Sequence, residues 1–206
     1  MEVHHHSGHH NKKSFKDYFL EFLMIFLAVT MGFIAENMRE SIVENHREKQ
    51  FMNSLVRDLE LDTLEFGKGN LFRAQKIQAL DSCLSILAEQ NKSQVSSTVY
   101  RLTRKFYGSR NFYQNSGTLD QLKNSGGLRL IRNRAIVDSI EAYDQQVRRM
   151  RARDDFETES FIYNSRISEK LFDAKSIIKN NSVVFESNRL KATNLITLIK
   201  SEYQLE

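Results

Sequence analysis

No proline interrupts the 206 residues of this chain, and only eight positions are glycine. A typical chain carries about 5% proline. Proline removes a helical hydrogen bond and clashes with the preceding turn, so its absence leaves long helices unbroken. The pattern predicts an all-α fold: one N-terminal transmembrane helix continuing into a stalk, followed by an irregular antiparallel helical bundle. The length suits one domain with an appendage.

The strongest local signal is Phe19 to Glu36, "FLEFLMIFLAVTMGFIAE". From Phe22 to Ala35 no residue is charged. That is roughly 21 Å of helix at about 1.5 Å per residue. A bilayer core is about 30 Å thick and usually takes about 20 residues. Extending back to Tyr18 approaches that length and takes in Glu21. The run is apolar on every face, unlike a half-exposed soluble helix. A cleaved signal peptide would need small residues before the cut. Ala35 is available, but Phe33 occupies the position two before it. A buried core helix is the other alternative, and a single membrane anchor is the reading favoured here.

Glu21 can sit at the headgroup boundary and point outward. Residues at i, i+4 and i+7 share a helical face, and Glu21, Ala28, Gly32 and Ala35 fall on one stripe. Ala28 and Gly32 form the small-xxx-small spacing that lets two spans approach closely. This face predicts self-association. Lys12, Lys13 and Lys16 precede the span, while Arg39, Arg47 and Lys49 follow it. The balance is nearly even, and long C-terminal regions translocate largely regardless of charge. The favoured topology has the N-terminus in the cytoplasm and the C-terminal domain in the periplasm, anchored in a bacterial inner membrane.

The tail "MEVHHHSGHHNKK" holds His4, His5, His6, His9 and His10. Imidazoles in such a tract can bind Zn²⁺, Ni²⁺ or Cu²⁺. A flexible polar tail with incidental metal affinity is the plainer reading. The chain then divides into a His-rich tail at 1–14, the span at 15–36, a juxtamembrane helical stalk at 37–50 and the bundle at 51–206. "MEVHHH", "KDYFLEFLMIFLAVTMGFIAENMRE" and "HREKQFMNSLVRDLELDT" together resemble a group of uncharacterised bacterial single-span membrane proteins. That group shares a His-rich N-terminus and a helical C-terminal domain of unknown function. "NSGTLDQLKNSGGLRLIRN" is similar to a segment of related single-span proteins. The resemblance implies an anchored protein with a natural histidine tract, and no activity.

In the bundle region, "ENHREKQ" (44–50) reads as a solvated stalk. Phe51, Met52, Leu55, Val56 and Leu59 resume an apolar stripe. Gly67 and Gly69 are expected to break the helix. Ile77, Leu80, Leu84 and Leu87 follow, with Cys83 beside them. A polar loop at 90–97 and a short helix through Val99, Leu102, Phe106 and Tyr107 come next. Thr118 and Gln121 have capping-box spacing, so a helix is expected from Leu119, ended by Gly126 and Gly127. Leu119, Leu122, Leu128, Leu130 and Ile131 should plug the bundle, and Asn133 should cap the next helix. That helix is expected to run from Arg134 to Lys175, with a coiled-coil-like seam at Ile136, Ile140, Tyr143, Val147 and Met150. "NNSVVFES" reads as a connector, with Asn188 capping a last helix that carries Leu190, Leu195, Leu198 and Ile199.

Functional signals are sparse. Arg110, Arg129, Arg132 and Arg134 near a helix terminus are a candidate anion patch, set against solvated or paired arginines. Lys and Arg total 30 against 26 Asp and Glu, too even a balance to imply nucleic acid. Cys83 is the one cysteine, so no intrachain disulfide can form, and its apolar neighbours predict a packed thiol. None of the metalloprotease, phosphate-loop, nucleophile-elbow or dinucleotide motifs occurs. The expectation is a protein that is not an enzyme and needs no cofactor: a membrane-anchored scaffold or interaction protein of the cell envelope. Its expected partners are the lipid bilayer, further copies of itself and an envelope protein. The alternative is a metal-responsive or sensory protein using the histidine tract.

Overall fold

The computed structural model describes residues 14–88, 101–102, 110–160 and 167–205, with side chains except at 87, 154–160 and 167–172. The histidine tract, the loop at 90–97, and Val99, Phe106 and Tyr107 lie outside the described residues. All regular structure among those described is helical. Helix α1 spans Phe15–Ala88, α2 Gly117–Asn124, α3 Arg134–Ser160 and α4 Ile167–Tyr203, with a 3-10 turn at Gly127–Leu130 between α2 and α3. The chain separates into two compact units, 1–47 and 48–206.

In the second unit α4 runs against both α1 and α3. Along α1 the pairs Glu60–Lys200, Asn70–Glu186 and Asp81–Lys175 set an antiparallel register. Along α3 the pairs Asn133–Glu202 and Gln146–Ser187 do the same. The expected seam is all buried: Ile136, Ile140, Tyr143, Val147 and Met150. It packs with Met52, Leu55, Val56 and Leu59 of α1 and Leu195 and Ile199 of α4. Each fully buried aliphatic side chain contributes about 1.5–3 kcal/mol. Leu119, Leu122 and Ile131 fill this core as expected, with Leu128 packed at its edge. A smaller cluster of Ala79, Leu80, Cys83, Ala174 and Ile178 continues between α1 and α4.

Several local expectations are corrected. The single helix expected over 134–175 is instead divided between the antiparallel α3 and α4. "NNSVVFES" is not a connector but lies inside α4. Asn188 caps nothing: it is fully buried, and its Nδ2 donates to Met150 Sδ at 3.1 Å. Of the apolar residues expected on the last helix, Leu195 and Ile199 are buried, while Leu190 is 57% exposed. The 44–50 segment is helical, but Glu48 within it is buried rather than solvated. Asn133 does act as a cap, its Oδ1 accepting the Ala135 N–H at 3.0 Å.

The two glycines at 67 and 69 do not end α1 either. Each costs about 1 kcal/mol within a helix, and tertiary packing supplies the reason for one of them. A Cβ at Gly69 would lie 2.9 Å from Phe185 Cε1 and 3.1 Å from Arg73 Nη1. The glycine makes room for the Phe185 ring, whose edge meets Phe66 at 5.7 Å between centroids. Phe66 in turn stacks on Phe112 at 4.2 Å, and the Arg73 guanidinium lies 3.4 Å from the Phe185 centroid. Aromatic pairs of this kind add about 0.5–1.5 kcal/mol beyond their buried area. At Gly67 an added Cβ would meet nothing within 4 Å. Gly67→Ala should therefore stabilise the bundle by roughly 0.5–1 kcal/mol, while Gly69→Ala should destabilise it by about 1–3 kcal/mol through overpacking. Denaturant unfolding of the two variants checks the opposite signs.

Candidate functional site

Two features of the structure bear on function: an irregular corner fastened to α1 by carboxylates, and an apolar stretch of α1 that no described residue covers.

The corner runs from 110 to 133. Its backbone N–H groups lack a continuous ladder of their own, so each buried one needs another acceptor. Three acidic side chains of α1 provide them. Asp62 Oδ1 accepts from the Asn115 N–H at 2.8 Å and from Asn115 Nδ2 at 2.9 Å. Its Oδ2 accepts from the Tyr143 hydroxyl at 2.6 Å. Asp58 Oδ2 accepts the Thr118 N–H at 3.0 Å. Glu48 Oε1 accepts the Arg132 N–H at 2.9 Å and the Tyr203 hydroxyl at 2.5 Å.

This arrangement replaces the expected capping box. Helix α2 starts at Gly117, two residues before the expected start, with Ser116 at the N-cap and no side-chain cap of its own. The Ser116 hydroxyl instead donates to Asp120 Oδ2 at 2.6 Å. Asp58, reaching across from α1, satisfies the orphan donor and places negative charge at the helix N-terminus. At the other end Gly126 has φ +68°, the left-handed conformation that glycine adopts without penalty.

Burial pushes the Asp62 carboxyl above its ordinary range, and the charge of Asp58 adds to that push. The hydrogen bonds from Asn115 and Tyr143 oppose it without cancelling it. Burial, with the Asp62 charge and hydrogen bond, likewise drives Tyr143 strongly upward. Burial raises Tyr203, aided by Glu48. Asp62 holds the Asn115 backbone, and the two tyrosine hydroxyls donate to Asp62 and Glu48. Burial also raises the Cys83 thiol, which lies fully buried among Ala79, Leu80, Ala174 and Ile178.

Of the four arginines of the candidate anion patch, Arg110 and Arg132 sit beside different acids of α1. Arg110 pairs with Glu65 at 3.0 Å. Lys68 first, and Arg110 second, hold Glu65 below its usual range. Arg132 lies 3.9 Å from Glu48. Glu48 and Glu65 are separated by about 25 Å along α1 at about 1.5 Å per residue. Arg129 and Arg134 are exposed.

In the first unit, α1 exposes Phe19, Leu20, Phe22, Met24, Ile25, Phe26, Leu27, Val29, Met31, Phe33 and Ile34, each by about half or more. This part of the helix is long and apolar enough to cross a membrane, and none of it is buried. Glu21, Ala28, Gly32 and Ala35 are likewise exposed on their shared stripe. A Cβ at Gly32 would meet nothing within 4 Å. The one hydroxyl in the uncharged run, Thr30 Oγ1, donates to Phe26 O at 2.7 Å within the helix. A polar group satisfied internally is what an apolar surrounding requires.

The chain is thus an all-α protein with a helical bundle and one N-terminal helix that could span a membrane. No family model matches it, and no curated protein or solved structure matches it.

The acidic anchors of the corner were not picked out from the sequence, although a signal was there. Glu48, Met52, Leu55, Leu59, Asp62 and Phe66 follow helical spacing, so two acids interrupt a core stripe. Asp62→Ala would leave the Asn115 N–H and the Tyr143 hydroxyl without an acceptor and should cost roughly 2–4 kcal/mol. Asp62→Asn keeps an oxygen for Asn115 and can donate to Tyr143, so it should change stability at neutral pH by less than about 1 kcal/mol. The raised carboxyl means that the folded state binds more protons than the unfolded one, from the ordinary aspartate range up to the folded value. Stability contributed there is present at the acid end and lost as pH rises through that folded value. Unfolding measured across this window should show the slope in the native chain and a flatter curve in Asp62→Asn.

Proposed function

We propose that this chain is a membrane-anchored, non-catalytic scaffold or interaction protein of the bacterial cell envelope. The apolar part of α1 lies in the inner membrane, the N-terminus is cytoplasmic and the bundle is periplasmic. The single observation that carries this reading is the exposure of the aromatic and aliphatic side chains from Phe19 to Ile34 on all faces of one helix. In water each such side chain forgoes about 1.5–3 kcal/mol of burial. Lipid removes that penalty, and a helix satisfies its own backbone there. The non-catalytic part is supported by how the acids of α1 are used: buried Glu48 and Asp62 and half-buried Asp58 hold backbone N–H groups and hydroxyls. Self-association follows from the Ala28 and Gly32 spacing, with an envelope protein as the further partner of the bundle.

Ultracentrifugation of lysed cells without detergent tests the anchor. The full-length chain should sediment with membranes, resist an alkaline wash and be released by detergent. A folded, dispersed chain in the supernatant would overturn the proposal. Replacing Gly32 with Ile should lower crosslinking between copies in membranes by several-fold, and unchanged crosslinking would remove the self-association face. Protease added to intact spheroplasts should digest the bundle, whereas protection of the bundle would reverse the topology.

A further inference from the structure

We draw no further inference here: the strongest candidate, the exposed stripe of Leu61, Leu64 and Leu71 on the bundle part of α1, carries nothing because its flanking Glu60 and Glu65 are already paired within the chain to Lys200 and Arg110 and nothing in the structure shows what covers it.

Discussion

The bundle depends on hydrogen bonds that the corner at 110–133, with one short helix and a 3-10 turn, donates to acids of helix α1. Residues 110–133 enter the core through Phe112, Leu119, Leu122 and Ile131, and so carry backbone amides out of water. An unpaired buried amide costs on the order of 1–3 kcal/mol. Asp58, Asp62 and Glu48 supply acceptors to the part-buried amides of Thr118, Asn115 and Arg132 and so avoid part of that cost. Charged acceptors make stronger bonds than neutral ones. The carboxylates in turn accept enough donors to tolerate burial, which an unpaired charge would not. Asp62 shows the limit of that compensation. Three donors reach it, yet burial still raises its carboxyl.

Aromatic packing completes the fastening. Phe66 of α1 stacks on Phe112 of the corner and meets the edge of Phe185 from α4. One ring therefore touches both the corner and α4. Gly69, a turn further on, leaves the space that Phe185 fills. The corner is held by carboxylates at three positions and by a ring stack beyond them, so Glu48, Asp58, Asp62 and Gly69 of α1 each have a structural role.

The other end of α1 poses a different problem. Its large apolar side chains from Phe19 to Ile34 stay exposed, and none of that window is buried. In the bundle the same kinds of residues are removed from water by α3, α4 and the corner. In the first unit no described residue does so. A change of solvent is the simplest physical remedy, and it is the basis of the proposed anchor.

Helix content and most core positions were legible in the residues because both depend on short-range rules. The absence of proline and the recurrence of Ile136, Ile140, Tyr143, Val147 and Met150 specify a helix and its buried face. Gly126 and Asn133 specify their turns for equally local reasons. The single long apolar run is also local. What the tertiary structure decided was everything set by partners distant in sequence. Thr118 looked like a cap until Asp58, 60 residues away, supplied the acceptor. Gly69 looked like a breaker until Phe185 occupied its missing Cβ. Asn188 looked like a helix start until burial against Met150 placed it within α4. Local spacing fixes which face of a helix is apolar. Only the folded chain determines which distant group satisfies a donor or fills a gap, because those energies exist only once the helices have packed.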